Sequence, residues 1–184
     1  MPPLDFPSPI VGYVGGLQRH VDIELLEQMA RLRPSWSWVY VGPLDTPTGK
    51  LKQFKNVHLL GHRPHRDLPG YIEQFDACIV PYLNSAYTNT VVPTKINEYL
   101  AMGKPVIATP IPCVCEFNTE HNVISIANTS SENFIQAIER ALAFPYDQAV
   151  VERRREVAAL GDWEARLETM SGWIEKALQL KQIG

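Results

Sequence analysis

Lys95 and Glu98 lie three residues apart in the stretch Pro93-Thr94-Lys95-Ile96-Asn97-Glu98-Tyr99-Leu100. On a helix that spacing lets both side chains project from one side. An ammonium so placed could hold a phosphate, and an ionised carboxylate accepts hydrogen bonds from sugar hydroxyls. The same spacing suits an exposed ion pair on a surface helix, which contributes little. Other chemistry finds weaker support. Ser, His and Asp residues occur without a nucleophile-elbow pattern to link them. His62 and His65 stand close together without a third ligand, and Cys113 and Cys115 lack a second pair, so neither completes a metal site. Gly12-Tyr13-Val14-Gly15-Gly16 misses the three-glycine spacing of a dinucleotide fingerprint, and there is no P-loop.

The elements that must position Lys95 and Glu98 can be read on either side of them. Pro93 suits the first position of a helix, Ile96, Tyr99 and Leu100 recur at helical spacing, and Gly103 offers a C-terminal cap. Residues 106–108 then form a short apolar strand. Upstream, 10–15, 36–42, 56–61 and 76–81 are apolar runs that read as strands, three of them finishing in glycine at Gly15, Gly42 and Gly61. Residues 123–126 predict a sixth. Helices fall between them: one carries Leu25, Leu26, Met29 and Ala30 on one face, and another spans 67–75 with Pro69 in its first turn. Loops are expected at 43–55 and 82–92. Thr129 and Glu132 have capping-box spacing before the amphipathic run 134–143. From about Gln148 the chain is helical, with Asp162 as N-cap of a last helix carrying Leu167, Met170 and Ile174. Near-continuous apolar strands alternating with helices predict a doubly wound, Rossmann-like parallel α/β sheet of about six strands, with helices on both faces and at the C-terminus. Ligands of such folds bind outside the carboxyl ends of the strands, at a topological switch point.

Size and charge narrow the function. A chain of 184 residues suits one domain with its own core. A net charge of −3 argues against nucleic acid as a partner, because no basic excess exists to neutralise phosphates. Arg153-Arg154-Arg155 sits among acidic residues and reads as a solvated helix face. Three cysteines make no disulfide framework and fit a reducing compartment. No apolar run is long enough to cross a bilayer, and the first residues lack the pattern of a signal peptide. Residues 1–9 contain four prolines and read as an extended linker, leaving 10–184 as the domain.

Together, Gly12 to Gly15 with the run 21–26, the strands 36–42 and 56–61, and above all residues 93–109 resemble the C-terminal domain of GT-B retaining glycosyltransferases of family 4, the group 1 transferases. The likeness spans about 10–143, and Asp162-Trp163-Glu164 is similar to the family's ending. The resemblance implies a domain that binds a nucleotide-sugar donor, a UDP-sugar or a GDP-sugar, for transfer to a glycan or lipid-linked acceptor in bacterial polysaccharide biosynthesis. It implies Glu98 on the ribose hydroxyls and Lys95 on the diphosphate, helped by N–H groups at the helix start near Thr94. Gly15 and Gly16 match the loop that approaches the donor, Arg63 borders the base, and Tyr82 lines the same cleft. Two positions depart from the pattern. Thr90 stands where the first glutamate of the family's pair contacts the donor sugar, and Arg19 is out of register with the family's basic residues after the first strand. No metal, cofactor or catalytic residue of this chain is required. The family's N-terminal domain is missing, so the isolated domain should bind nucleotide without transferring sugar. The whole enzyme is expected in the cytoplasm, with peripheral association at the inner membrane face and homodimerisation both open to it. The alternative is a non-catalytic nucleotide-binding or glycosyltransferase-like partner module on the same fold.

Overall fold

The computed structural model describes residues 3–143, 147–161 and 163–182. Its strands are β1 (Ile10–Val14), β2 (Ser37–Val41), β3 (Val57–Gly61), β4 (Ala77–Val80), β5 (Val106–Ala108) and β6 (Ile124–Ile126). They form one parallel sheet in the order β3-β2-β1-β4-β5-β6. β1, β2, β4 and β5 are buried along their whole length, as continuous apolar runs between two helical layers must be. β3, at an edge, is half-buried. The chain runs outward from β1 to β3 and then returns to pair β4 with the other side of β1. The switch point therefore lies between β1 and β4, and it puts the loops after those two strands side by side.

The helices are α1 (Ile23–Leu32), α2 (Leu68–Ile72), α3 (Lys95–Ala101), α4 (Pro112–His121), α5 (Ser131–Ala143), α6 (Gln148–Leu160) and α7 (Trp163–Gln182). Asp22 caps α1, its carboxylate accepting from the Leu25 amide at 2.9 Å. The predicted face of Leu25, Leu26, Met29 and Ala30 is buried. α1 packs on α5, and α3 packs on α6.

Several local expectations change. α3 starts at Lys95, two residues after Pro93, because the Ile96 and Asn97 amides close tight turns onto the carbonyls of Pro93 and Thr94. α4 was not expected between β5 and β6, although a parallel pair requires a crossover there. Only Val114 of α4 is buried, so its sequence carries no apolar stripe. Ser130, not Thr129, caps α5: its hydroxyl accepts from the Asn133 amide at 3.2 Å. The expected cap Asp162 lies outside the described residues. Within 43–55, Leu51–Gln53 forms a single 3-10 turn whose Leu51 is fully buried.

Arg154 departs from the solvated face of its neighbours. Arg153 and Arg155 pair with Glu156 and Glu152, but Arg154 is buried and donates to the Gly103 carbonyl at 3.1 Å. It thereby places a cation at the carboxyl end of α3. On α7, Leu167, Met170, Trp173, Ile174 and Leu178 are all exposed. Residues 3–9 lie against the domain without regular structure, with Phe6 stacked on His58 at 3.7 Å between ring centroids. Among the described residues no helix is long and apolar enough to cross a membrane.

Candidate functional site

The switch point is built by two loops and one helix start. After β1 the chain turns through Gly15 and Gly16, and after β4 it enters the loop that leads to α3. Backbone contacts fasten the two loops together. Val21 bridges Tyr82, the Leu83 amide donates to the His20 carbonyl at 2.9 Å, and the Asp22 amide donates to the Pro81 carbonyl at 2.9 Å. Gly42, at the end of β2, backs the first loop so closely that a Cβ there would fall 2.1 Å from the Gly15 carbonyl oxygen. The Gly42 position thus serves loop-to-loop packing.

Lys95 projects from the first turn of α3 into this junction. Its Nζ donates to the Tyr13 hydroxyl at 2.7 Å and lies 4.0 Å from the centroid of the same ring. The Tyr82 ring centroid stands at 5.3 Å. Burial lowers the Lys95 pKa from 10.5 to about 7, and the Glu98 carboxylate pulls it back up. The surface ion-pair interpretation fails on this geometry: Lys95 and Glu98 form no salt bridge, and the ammonium turns inward to Tyr13. Glu98, one turn along and half-buried, has no hydrogen-bond donor on its carboxylate among the described residues. A cation without a carboxylate against it, and a carboxylate without a donor, both keep their capacity for a ligand.

Gly15 is shaped around Lys95. Its φ is +134°, and a Cβ there would lie 2.5 Å from the Lys95 Nζ. Gly16 borders Asp45, whose carboxylate accepts from Gln18 at 3.0 Å. Tyr82 is buried beside Lys95. Thr94 is exposed at the start of α3, and its carbonyl is used by the Asn97 amide. Thr90 is exposed, its hydroxyl donating to the Tyr87 carbonyl at 2.9 Å. Arg19 is exposed and raises the positive potential felt by His20. Arg63 stands apart, following the edge strand β3, where it donates to the Tyr71 hydroxyl at 2.9 Å. The structure therefore gathers Lys95, Gly15 and Tyr82 directly, keeps Glu98 adjacent on α3, and puts Arg63 two strands along the same sheet edge, after β3.

Three residues at the junction had no role in the sequence reading. Tyr13 reads as core in an apolar run, and only the fold reveals its hydroxyl under Lys95. Tyr99 is fully buried, and its hydroxyl accepts from the Val14 amide at 2.7 Å, tying α3 to the end of β1. His20 packs edge-on against Tyr82 at 4.7 Å and lies 5.6 Å from the exposed ring of Tyr87. Burial, then the charges of Lys95 and Arg19, lower the His20 pKa. Two surface cavities, of about 480 and 420 Å³, are lined by other residues, one along α1 and one between β6 and α6.

Residues 8–143 match the family described as "Glycosyl transferases group 1". This chain belongs to the group 1 glycosyltransferase family. Among named relatives it is 31% identical over 159 residues to TuaH of Bacillus subtilis (strain 168), named for teichuronic acid biosynthesis, covering 84% of this chain and 40% of that protein. TuaC of the same organism, named likewise, is 30% identical over 129 residues, covering 70% and 31%. The fold is similar to sucrose-phosphate synthase from Thermosynechococcus elongatus, with TM-score 0.77, 23% identity, and coverage of 96% of this chain and 46% of that one. It is also similar to Anabaena Alr3699/HepE, solved in complex with UDP and glucose, with TM-score 0.65, 18% identity, and coverage of 89% and 48%. The chain thus spans less than half the length of these relatives.

Proposed function

We propose that this chain is the nucleotide-sugar-binding half of a retaining glycosyltransferase that moves a sugar from a UDP- or GDP-sugar to a glycan or lipid-linked acceptor. The observation that carries the proposal is the Lys95 ammonium, aimed at the β1 loop at the switch point and without a salt bridge among the described residues. In transfer, the bond between the anomeric carbon and the diphosphate oxygen breaks while the acceptor oxygen bonds to that carbon. The diphosphate leaves carrying the electron pair and takes up the proton of the acceptor hydroxyl, and a positioned cation stabilises it. Lys95 supplies that cation, with the backbone of Gly15, Gly16 and Thr94 around it. Glu98 accepts from the ribose hydroxyls, and Tyr82 closes the inner wall. Arg19 reaches the outer end of the donor, Thr90 stands beside the sugar, and Arg63, after β3, borders the base. HepE, solved with UDP and glucose, supports a nucleotide ligand for this fold, and the names of TuaH and TuaC support polysaccharide biosynthesis.

A second half of the protein, preceding the linker 1–9, would supply the acceptor groups, and this chain alone would then not transfer sugar. The exposed apolar residues of α7, Leu167, Met170, Trp173, Ile174 and Leu178, suit that half as a partner, and in its absence a second copy. The working enzyme is placed in the cytoplasm, peripheral to the inner membrane face. Titrating UDP and GDP into the chain by calorimetry tests the reading. One of them is expected to bind, and to bind 10- to 100-fold more weakly to Glu98→Gln, given about 1.5–3 kcal/mol for a hydrogen bond to a charged group. Absence of binding by either nucleotide overturns the proposal.

A further inference from the structure

Tyr13 sits in the middle of the sheet with no exposed surface, yet it carries a hydroxyl. Burial pushes the phenol far above its ordinary pKa, so it keeps its proton throughout the physiological range. That fixes the hydrogens. An ammonium can only donate, so at the 2.7 Å contact Lys95 gives a hydrogen and Tyr13 receives it. The single phenolic hydrogen faces the Gly16 carbonyl at 3.2 Å and, beside it, the Tyr82 hydroxyl. The result is a directed relay from α3 through β1 to the loop. Tyr13 also offers its ring face at 4.0 Å, and Tyr82 a second face at 5.3 Å. Aromatic faces attract a cation without neutralising it. Among the described residues, two of the three ammonium hydrogens have no partner and no carboxylate comes within salt-bridge distance of Lys95.

We propose that Tyr13 is the positioning residue of this site: its hydroxyl and ring hold Lys95 at the glycine loop with two hydrogens directed to the diphosphate of the donor. This rests on the nucleotide-sugar reading above. Gly15 belongs to the same device, since any larger residue would push the ammonium off its seat. Tyr13 touches no reacting atom and acts only through Lys95. Other titratable or charged groups that face Lys95 are Tyr82 after β4, Glu98 on its own helix and His20 after β1, with Arg19 acting on His20.

The test is Tyr13→Phe, which deletes the hydroxyl and keeps the ring. UDP-glucose and GDP-mannose are titrated calorimetrically into wild type, Tyr13→Phe, Lys95→Met and the double variant, between pH 6.5 and 8.5. For whichever donor binds, Tyr13→Phe is expected to weaken affinity about 10-fold at pH 6.5. The midpoint of its pH dependence moves lower, because the ammonium has lost its acceptor. In the Lys95→Met background the same substitution has no effect on affinity. A purely structural tyrosine would weaken binding equally in both backgrounds, and that result overturns the proposal. So does wild-type affinity in Tyr13→Phe. Should Tyr13→Phe fail to fold, Tyr82→Phe with Gly15→Ala replaces it: Gly15→Ala must abolish the dependence on Lys95, and unchanged dependence overturns the proposal. If neither donor binds the wild-type chain, the nucleotide-sugar reading falls and Tyr13 falls with it. If wild type binds and only the coupling is absent, the reading survives and the Tyr13 proposal alone is lost.

Discussion

Replacing Lys95 by Met removes the cation and keeps the stem that packs against Tyr13, so the effect on donor binding isolates the charge. Burial sets the Lys95 pKa at about 7 in the free protein, and a bound diphosphate raises it. Binding therefore selects the protonated form, and apparent affinity falls as pH rises through 7. From pH 6.5 to 8.5 the protonated fraction of such a group drops from about three quarters to about 3%, which weakens affinity roughly 25-fold. A nucleotide-sugar is the right probe because its diphosphate is esterified at both ends and keeps a constant charge over this range. Burial and the charges of Lys95 and Arg19 lower the pKa of His20, the neighbouring imidazole. Lys95→Met should lose 10- to 100-fold in affinity at pH 6.5, from about 1.5–3 kcal/mol for a charge-assisted hydrogen bond. By pH 8.5 the two proteins should nearly converge. Isothermal titration at three pH values reads this directly. A flat wild-type profile, or the same slope in Lys95→Met, refutes Lys95 as the diphosphate cation.

Two stability predictions follow from the packing. Gly42→Ala places a Cβ 2.1 Å from the Gly15 carbonyl oxygen at a φ of +153°, so thermal melts should show a loss of about 3 kcal/mol, roughly 10 °C. Gly61→Ala, with open space around it and a φ of +69°, should cost only about 1 kcal/mol. Equal losses at the two sites would contradict the loop-to-loop contact. Tyr40 is buried on β2 with no partner for its hydroxyl among the described residues. Tyr40→Phe should be neutral or stabilising by up to about 1 kcal/mol, and a destabilisation near 2 kcal/mol by chemical denaturation would show a hidden partner.

The sheet was legible because its strands are apolar throughout, and β1, β2, β4 and β5 are wrapped on both faces by helices. α4 was not legible, since a helix that buries only Val114 has no periodic apolar face to read. For the site, the spacing of Lys95 and Glu98 was visible, but the direction of the ammonium was not. It depends on β4 pairing with β1, a contact between residues far apart in sequence that local pattern does not encode. Tyr13 was hidden for the same reason, because an inward aromatic in a strand reads as core until its partner is known. Arg63 followed a strand-end glycine in sequence, yet β3 is an edge strand and its arginine is engaged by Tyr71. Arg154 shows that a charge run need not be uniform: one of three arginines turns inward to the end of α3.

The central claim is that α3 carries a donor site with Glu98 on ribose. Its most direct measurement compares the preferred nucleoside diphosphate with its 2′,3′-dideoxy analogue on wild type and Glu98→Gln. Wild type should prefer the ribose form by 10-fold or more, about 1.5 kcal/mol for hydrogen bonds to a carboxylate, and Glu98→Gln should lose most of that preference. Equal binding of both nucleotides by wild type, or an undiminished preference in Glu98→Gln, would contradict it.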